Sequence, residues 1–116
     1  MTLQNRLLLA QYSRRALDLL RKRLAVGPVA SPRVQGSVLA QLEWLTDFAE
    51  GRNEERARLA DLGFGVHLAK GDINTSDSEL DEALYAAAHA ADIYAGGLKI
   101  EAVMPPNTSL ERTRDR

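Results

Sequence analysis

The chain has 116 residues, of which 45% are hydrophobic and 27% charged, and its formal net charge is −1. These values are typical of one globular domain and argue against a wholly disordered chain or a membrane-spanning one, which needs about 20 consecutive apolar residues. The absence of cysteine excludes disulfides and thiolate metal sites. Because the apolar stretch near the N-terminus ends at Gln11 with no small-residue cleavage site, we interpret it as helix and expect a cytoplasmic protein.

The first half of the chain carries two helical patterns with clear stops. Apolar residues at helical spacing predict a first helix over residues 3–25, which Gly27 ends. Ser31 followed by Pro32 is an N-cap and first-turn pair, so a second helix should begin there and end at Gly51. Its apolar face is formed by Val34, Val38, Leu42, Leu45 and Phe48.

A third helix is predicted after Asn53, which can cap it. Gly63 and Gly65 would each cost about 1 kcal/mol inside a helix, so they indicate either close helix contact or a local break. The apolar face predicted for this helix is Leu59, Leu62, Val66 and Ala69.

A fourth helix is predicted by the capping-box spacing of Ser76 and Glu79, and Gly96 with Gly97 should end it. Its alanine-rich apolar stripe is Leu80, Leu84, Ala87, Ala91 and Tyr94. Four helices with short connections predict an all-α fold, a small antiparallel four-helix bundle over residues 1–104. Residues 98–103 alternate as a short extended segment could, and the polar tail 105–116 should be disordered.

Charge is distributed unevenly along the chain. Residues 1–24 are basic, whereas no lysine or arginine occurs between Gly71 and Leu98. Such a segment should repel itself in the free protein and attract a cationic partner surface, although its carboxylates could also simply complement the dipole of the fourth helix. Five carboxylates stand close together at its start: Asp72, Asp77, Glu79, Asp81 and Glu82.

Candidate catalytic residues are few. His89 and Asp92 share a helix face as a metal pair could, and Glu79 and Glu82 have the E-x-x-E spacing of helical nucleotide pyrophosphatases. Neither pair has the companion carboxylates that these sites require. No phosphate-binding glycine loop and no G-x-S-x-G motif occurs. We therefore expect no enzymatic activity, no metal and no cofactor.

The basic first helix supports an alternative function, a small nucleic-acid-binding or regulatory protein. Asp18 can pair with Arg14, Arg15 and Lys22 at helical spacing, and the net charge argues against nucleic-acid binding, so a solvated charged face is the favoured interpretation. The aromatic residues, including Tyr85, are interpreted as core. Trp44 lies off the main stripe of its helix, where edge-of-core packing is favoured over an exposed binding anchor.

Four short motifs occur in order along the chain. They are residues 41–45 (QLEWL), the basic stretch 56–62 with the glycine after it, the helix start 77–84 (DSELDEAL) and the ending 96–99 (GGLK). Together they resemble the small helical immunity proteins of type VI secretion that neutralise an NAD(P)-degrading effector toxin, an NAD(P)+ glycohydrolase. The resemblance runs from about Leu17 to Ile100.

The resemblance implies a protein without enzymatic activity that binds a toxin domain in the cytosol and blocks its catalytic cleft, protecting the producing cell and its kin. A toxin that handles an anionic dinucleotide should offer a positively charged cleft, which an acidic segment could fill. The toxin-binding residues are therefore predicted to be Asp72, Asp77, Glu79, Asp81 and Glu82. The oligomeric state stays open, with a homodimer among the alternatives.

Overall fold

The computed structural model describes residues 3–71, 73 and 77–97, and these residues form helices and turns without a β-strand. The elements are α1 (Leu3–Val26), α2 (Pro32–Ala49), a 3₁₀ helix (Arg56–Asp61), α3 (Phe64–Lys70) and α4 (Ser78–Ala95). The predicted all-α fold with four helices is confirmed. The expected extended segment 98–103 and the polar tail 105–116 lie outside the described residues.

The first two helices begin and end close to their predicted positions. The Ser31 hydroxyl accepts a hydrogen bond from the backbone N–H of Val34 at 3.3 Å, and Pro32 occupies the first turn of α2. Gly51, with φ of +89°, follows α2 in the left-handed region that favours glycine. The residues that were predicted to begin and end α2 therefore do so in the structure.

The predicted third helix is wrong as a continuous element. It divides into the 3₁₀ helix and α3, with Leu62 extended between them. The physical reason is a side chain from α2: the Gln41 carbonyl oxygen accepts hydrogen bonds from the backbone N–H groups of Gly63 at 2.7 Å and Phe64 at 2.9 Å. Because Gln41 satisfies donors at the start of α3, the chain can restart a helix there without a break in hydrogen bonding.

The apolar face of this region also differs from the prediction. Val66 is 59% exposed, whereas Phe64 and Leu68 are buried in the core. Close helix contact or a local break was predicted at Gly63 and Gly65, and the close contact occurs at Gly65. A Cβ placed there would lie 3.3 Å from the Ala88 Cβ of α4. Gly65 therefore lets α3 lie close against α4.

The start of α4 lies one residue later than its predicted cap. Asp77 is the N-cap, and its carboxylate accepts a hydrogen bond from the Leu80 N–H at 3.2 Å. Ser76 lies outside the described residues. The predicted stripe and ending are confirmed, since Gly97 has φ of +76° and the stripe is buried: Leu80, Leu84, Ala87, Ala91 and Tyr94.

Helix α1 packs against both α2 and α4 and runs antiparallel to each. Arg6 near the start of α1 contacts Phe48 near the end of α2, and Arg23 near the end of α1 contacts Asp77 at the start of α4. Residues with at most 1% exposure fill the shared interior: Leu9, Leu20, Leu42, Leu45, Leu80 and Leu84. None of the described helices is both long and apolar enough to cross a bilayer.

Candidate partner-binding surface

The acidic cluster at the start of α4 contains most of the predicted toxin-binding carboxylates. Asp77 is the N-cap of α4, and Glu79, Asp81 and Glu82 lie in its first two turns. Carboxylates at this end of a helix interact favourably with its dipole. Asp72 lies outside the described residues. The fold thus places four of the five predicted residues within a short distance along one helix.

Two of these carboxylates form ion pairs with one arginine of α1. The Arg23 guanidinium donates through Nε to the Asp77 carboxylate and through Nη2 to Glu79 Oε1 at 2.8 Å. Arg23, followed by the backbone N–H of Leu80, holds the pKa of Asp77 below its usual value. Arg23 therefore relieves part of the self-repulsion that was expected within the acidic segment. Arg23 stands 54 residues before Asp77, so a charge map along the sequence does not reveal the pair.

The other two carboxylates have no such partner. Within the described part of the chain, Asp81 and Glu82 form no ion pair, and Asp81 Oδ1 and Glu82 Oε2 are buried oxygens that accept no hydrogen bond. Burial, followed by the charge of Asp77, raises the pKa of Asp81. A buried acceptor without a donor typically costs about 1–3 kcal/mol, so a role other than stability would explain these carboxylates.

The same side of α4 carries further exposed side chains at intervals of three and four residues. Tyr85, His89 and Asp92 are exposed and follow Asp81 and Glu82 along the helix. We call these five residues the outer face of α4. Tyr85 was predicted to be core, and this prediction was wrong, because the ring is 47% exposed. Its position directly after the stripe residue Leu84, about 100° around the helix, is the signal in the sequence.

The same helix carries both candidate metal or active-site pairs, His89 with Asp92 and Glu79 with Glu82. Among residues 3–71, 73 and 77–97, no group of three or more histidine, aspartate or glutamate side chains could hold a metal ion. Glu79, one half of the E-x-x-E pair, is bound to Arg23. Both His89 and Asp92 are exposed. The outer face of α4 is therefore better suited to contact another molecule than to hold an ion.

The basic side chains of α1 are largely paired within the fold. Arg14 forms a two-pronged ion pair with Glu50, with nitrogen–oxygen distances of 2.8 and 3.1 Å, and lies 3.7 Å from Asp18. Arg21 pairs with Glu43 at 3.2 Å. The predicted pairing of Arg14 with Asp18 is confirmed, and Glu50 and Glu43 extend it to α2. Arg15 and Lys22 form no ion pair within the described part of the chain, so this surface keeps part of its positive charge.

Trp44 packs at the edge of the core, as predicted. It is partly buried, and its ring stacks on that of Phe48 with 5.5 Å between centroids. The Arg58 guanidinium lies 5.6 Å from the centroid of the Trp44 ring and covers the indole from outside. These contacts leave Trp44 poorly placed to serve as an exposed anchor.

Comparison with protein-family models gives one match, to the family described as Tsi6, over residues 8–93. This range extends from the second turn of α1 nearly to the end of α4. The chain belongs to the Tsi6 family. Tsi6 is a family of type VI secretion immunity proteins, so the protein is an immunity protein whose partner is a cognate toxin. No curated protein and no solved structure matches this Tsi6 family member.

Proposed function

We propose that this protein neutralises an NAD(P)-degrading effector by binding its toxin domain in the cytoplasm and blocking the active-site cleft, with the outer face of α4 in the contact. The observation that carries the proposal is the pair Asp81 and Glu82, whose side chains are partly exposed and form no ion pair within the described structure. The acidic segment 72–82 as a whole remains the proposed toxin-binding region, with these two residues at its centre.

Electrostatic complementarity supports this assignment. An enzyme that cleaves an anionic dinucleotide needs cationic groups in its cleft. Helix α4 contains no lysine or arginine, whereas its outer face includes Asp81, Glu82 and Asp92. Charge complementarity of this kind accelerates association and discriminates against wrong partners. An acidic helix inserted at the cleft would also occupy the positions that the substrate phosphates use.

The four described carboxylates divide into two roles. Asp77 and Glu79, held by Arg23, fix the start of α4 against the end of α1. Asp81 and Glu82 each have one buried oxygen, but their side chains are partly exposed, and a toxin cation that contacts the exposed part would offset the cost of their desolvation. The α1–α4 contact thereby presents the unpaired carboxylates on a rigid element.

The test is protection of cells that express the NAD(P)-degrading toxin domain of a type VI secretion effector, which is sought first among the genes next to this one. The parent protein should restore growth and the cellular NAD(P) level. The double variant Asp81→Asn with Glu82→Gln should lose most of this protection, since it removes the charges with little change in shape. Asp18→Asn with Glu43→Gln, which removes the same charge from α1 and α2, is the matched control and should protect fully. Failure of the parent protein to protect or to bind this toxin domain would refute the proposal.

A further inference from the structure

A groove of about 410 Å³ runs between α3 and α4, and Tyr85, His89 and Asp92 of the outer face of α4 line it. Its size falls within the range of about 300–1,000 Å³ that is common for ligand pockets. The close approach of Gly65 to Ala88 lies within it. Val66 on α3 and Tyr85 on α4 line it and are 59% and 47% exposed, which is unusual for large apolar side chains in this protein.

The ring of Tyr85 is the most exposed aromatic ring among the described residues. In the described structure no cation lies over it. Three other rings are covered by the chain's own guanidinium groups: Phe48 by Arg6 and Tyr94 by Arg56, each at 4.7 Å, and Trp44 by Arg58 at 5.6 Å. The fold thus repeatedly places a cation over an aromatic face, and Tyr85 presents such a face to solvent.

The charge of the groove matches a cation from outside. Asp92 lines it together with His89, and no lysine or arginine is among its lining residues. Glu82 lies three residues before Tyr85, on the same side of α4. A long basic side chain could therefore lay its alkyl part against Val66 and direct its charge towards Asp92 and Glu82.

We propose that this groove receives a lysine or arginine side chain of the toxin, with the cationic group over Tyr85 and close to the carboxylates of Asp92 and Glu82. The inference rests on the proposed function and adds to it a specific apolar and aromatic contact beside the acidic residues. Aromatic anchors in partly enclosed sites often dominate the binding energy of an interface, so Tyr85 should contribute more to affinity than its exposed neighbours.

Substitutions at Tyr85 distinguish a cation from an aliphatic occupant. Affinity is measured by calorimetry with a catalytically inactivated form of the toxin domain used in the protection test. Tyr85→Ala should weaken binding by about tenfold or more. Tyr85→Phe keeps the ring and should bind like the parent, whereas Tyr85→Leu keeps apolar bulk without the ring and should lose about three- to tenfold. Equal affinity of Tyr85→Leu and the parent protein would overturn the cationic assignment.

Two further variants complete the design. Asp92→Asn should weaken binding and reduce its dependence on salt. Leu7→Ala, which truncates another strongly exposed apolar side chain on α1, is the control and should have no effect. Circular dichroism and thermal unfolding verify the fold of each variant.

The outcomes separate the inference from the function on which it rests. If Asp81→Asn with Glu82→Gln weakens binding but Tyr85→Ala does not, the groove proposal is wrong and the proposed function stands. If the parent protein does not bind the toxin domain, both fail. If Tyr85→Ala instead abolishes a concentration-dependent dimer in sedimentation while toxin affinity is unchanged, a second copy occupies the groove and the proposal is overturned.

Discussion

The surface formed by α1 and α2 and the outer face of α4 use charge in different ways. On α1 and α2, charged side chains pair with each other, as in Arg14 with Glu50 and Arg21 with Glu43. On the outer face of α4, Asp81 and Glu82 have no ion-pair partner among the described residues. The basic surface is therefore partly neutralised by its own carboxylates, and a cationic partner is better accommodated where carboxylates remain unpaired.

Each surface also carries a groove, and the larger one is the less suitable for a cationic partner. The α1–α2 groove, of about 640 Å³, is lined by Leu7, Ala10 and Ala49 but also by Arg6 and Arg14. The α3–α4 groove is smaller and contains Asp92 without a lysine or arginine. Glu50, which pairs with Arg14, also lines the first groove, so Arg6 is the lining cation there without a carboxylate partner among the described residues. Asp92 in the second groove, by contrast, would attract a positively charged toxin cleft. The two grooves therefore differ in the charge of their lining residues, and this difference decides their suitability more than their volumes do.

The largest expected effect is on toxin affinity when the charge of α4 is reversed. Glu82→Lys should reduce the affinity for the toxin domain by about a hundredfold or more, because like charges placed opposite each other cost several kcal/mol. Glu43→Lys on α2 makes the same change of charge on the paired surface and should leave affinity nearly unchanged. Surface plasmon resonance measures both. Similar losses in the two variants would show that net charge, and not the α4 surface, controls binding.

A smaller effect is expected when the contact behind the α3–α4 groove is widened. Gly65→Val should lower the free energy of unfolding by about 1–3 kcal/mol, because its side chain would displace Ala88. Gly36→Val on α2 is the matched control, since a Cβ there meets nothing within 4 Å. Urea unfolding measures both. Equal stabilities for the two variants would mean that α3 does not pack as closely on α4 as described.

The paired carboxylate Asp77 and the unpaired carboxylate Asp81 should change the free energy of unfolding in opposite directions. Asp77→Ala removes an N-cap and should cost about 1 kcal/mol. Asp81→Asn should instead leave the free energy of unfolding unchanged or raise it, because it removes a desolvated charge that has no partner. Thermal and urea unfolding at neutral pH provide the comparison. A large loss of stability in Asp81→Asn would reveal a partner for that carboxylate and would contradict its proposed availability.

The pH dependence of the free energy of unfolding should also differ between Asp77 and Asp81. The lowered pKa of Asp77 means that its contribution is present above its ordinary value of 3.8 and is lost as the pH falls through the lower, folded-state value. The raised pKa of Asp81 means that its unfavourable contribution develops as the pH rises from 3.8 through its higher folded-state value. Any gain in Asp81→Asn should therefore be seen at pH 7 and disappear below about pH 3.8. A gain that persists unchanged at acidic pH would contradict this cause.

The smallest expected effect is on nucleic-acid binding. Arg14 is engaged by Glu50 and Asp18, and Arg21 is engaged by Glu43, so duplex DNA should bind weakly and without specificity at physiological salt. Fluorescence anisotropy should show no saturable binding at micromolar protein. Saturable binding that Arg14→Ala with Arg15→Ala removes would support the alternative function of the basic first helix.

Local signals predicted α1, α2 and α4 well, because each segment has an apolar stripe and a stop, and α2 and α4 also have a capping residue at or next to the predicted position. The third helix was mispredicted because the decisive group, the Gln41 side chain, comes from α2 and satisfies donors 22 and 23 residues later. The location of the acidic cluster was predictable, but its pairing was not. Arg23 reaches Asp77 only through the antiparallel packing of α1 on α4. Long-range contacts therefore decided both the break in the helix and the difference between the carboxylates.

The central claim is that the unpaired carboxylates of α4, and not merely its negative charge, bind the toxin. It is tested most directly by comparing toxin affinity in two charge-matched double variants. Asp81→Asn with Glu82→Gln should lose at least about tenfold in affinity. Asp77→Asn with Glu79→Gln should lose much less, because asparagine preserves the N-cap and the charges removed are already paired with Arg23. Equal losses, or a larger loss in the second variant, would contradict the account.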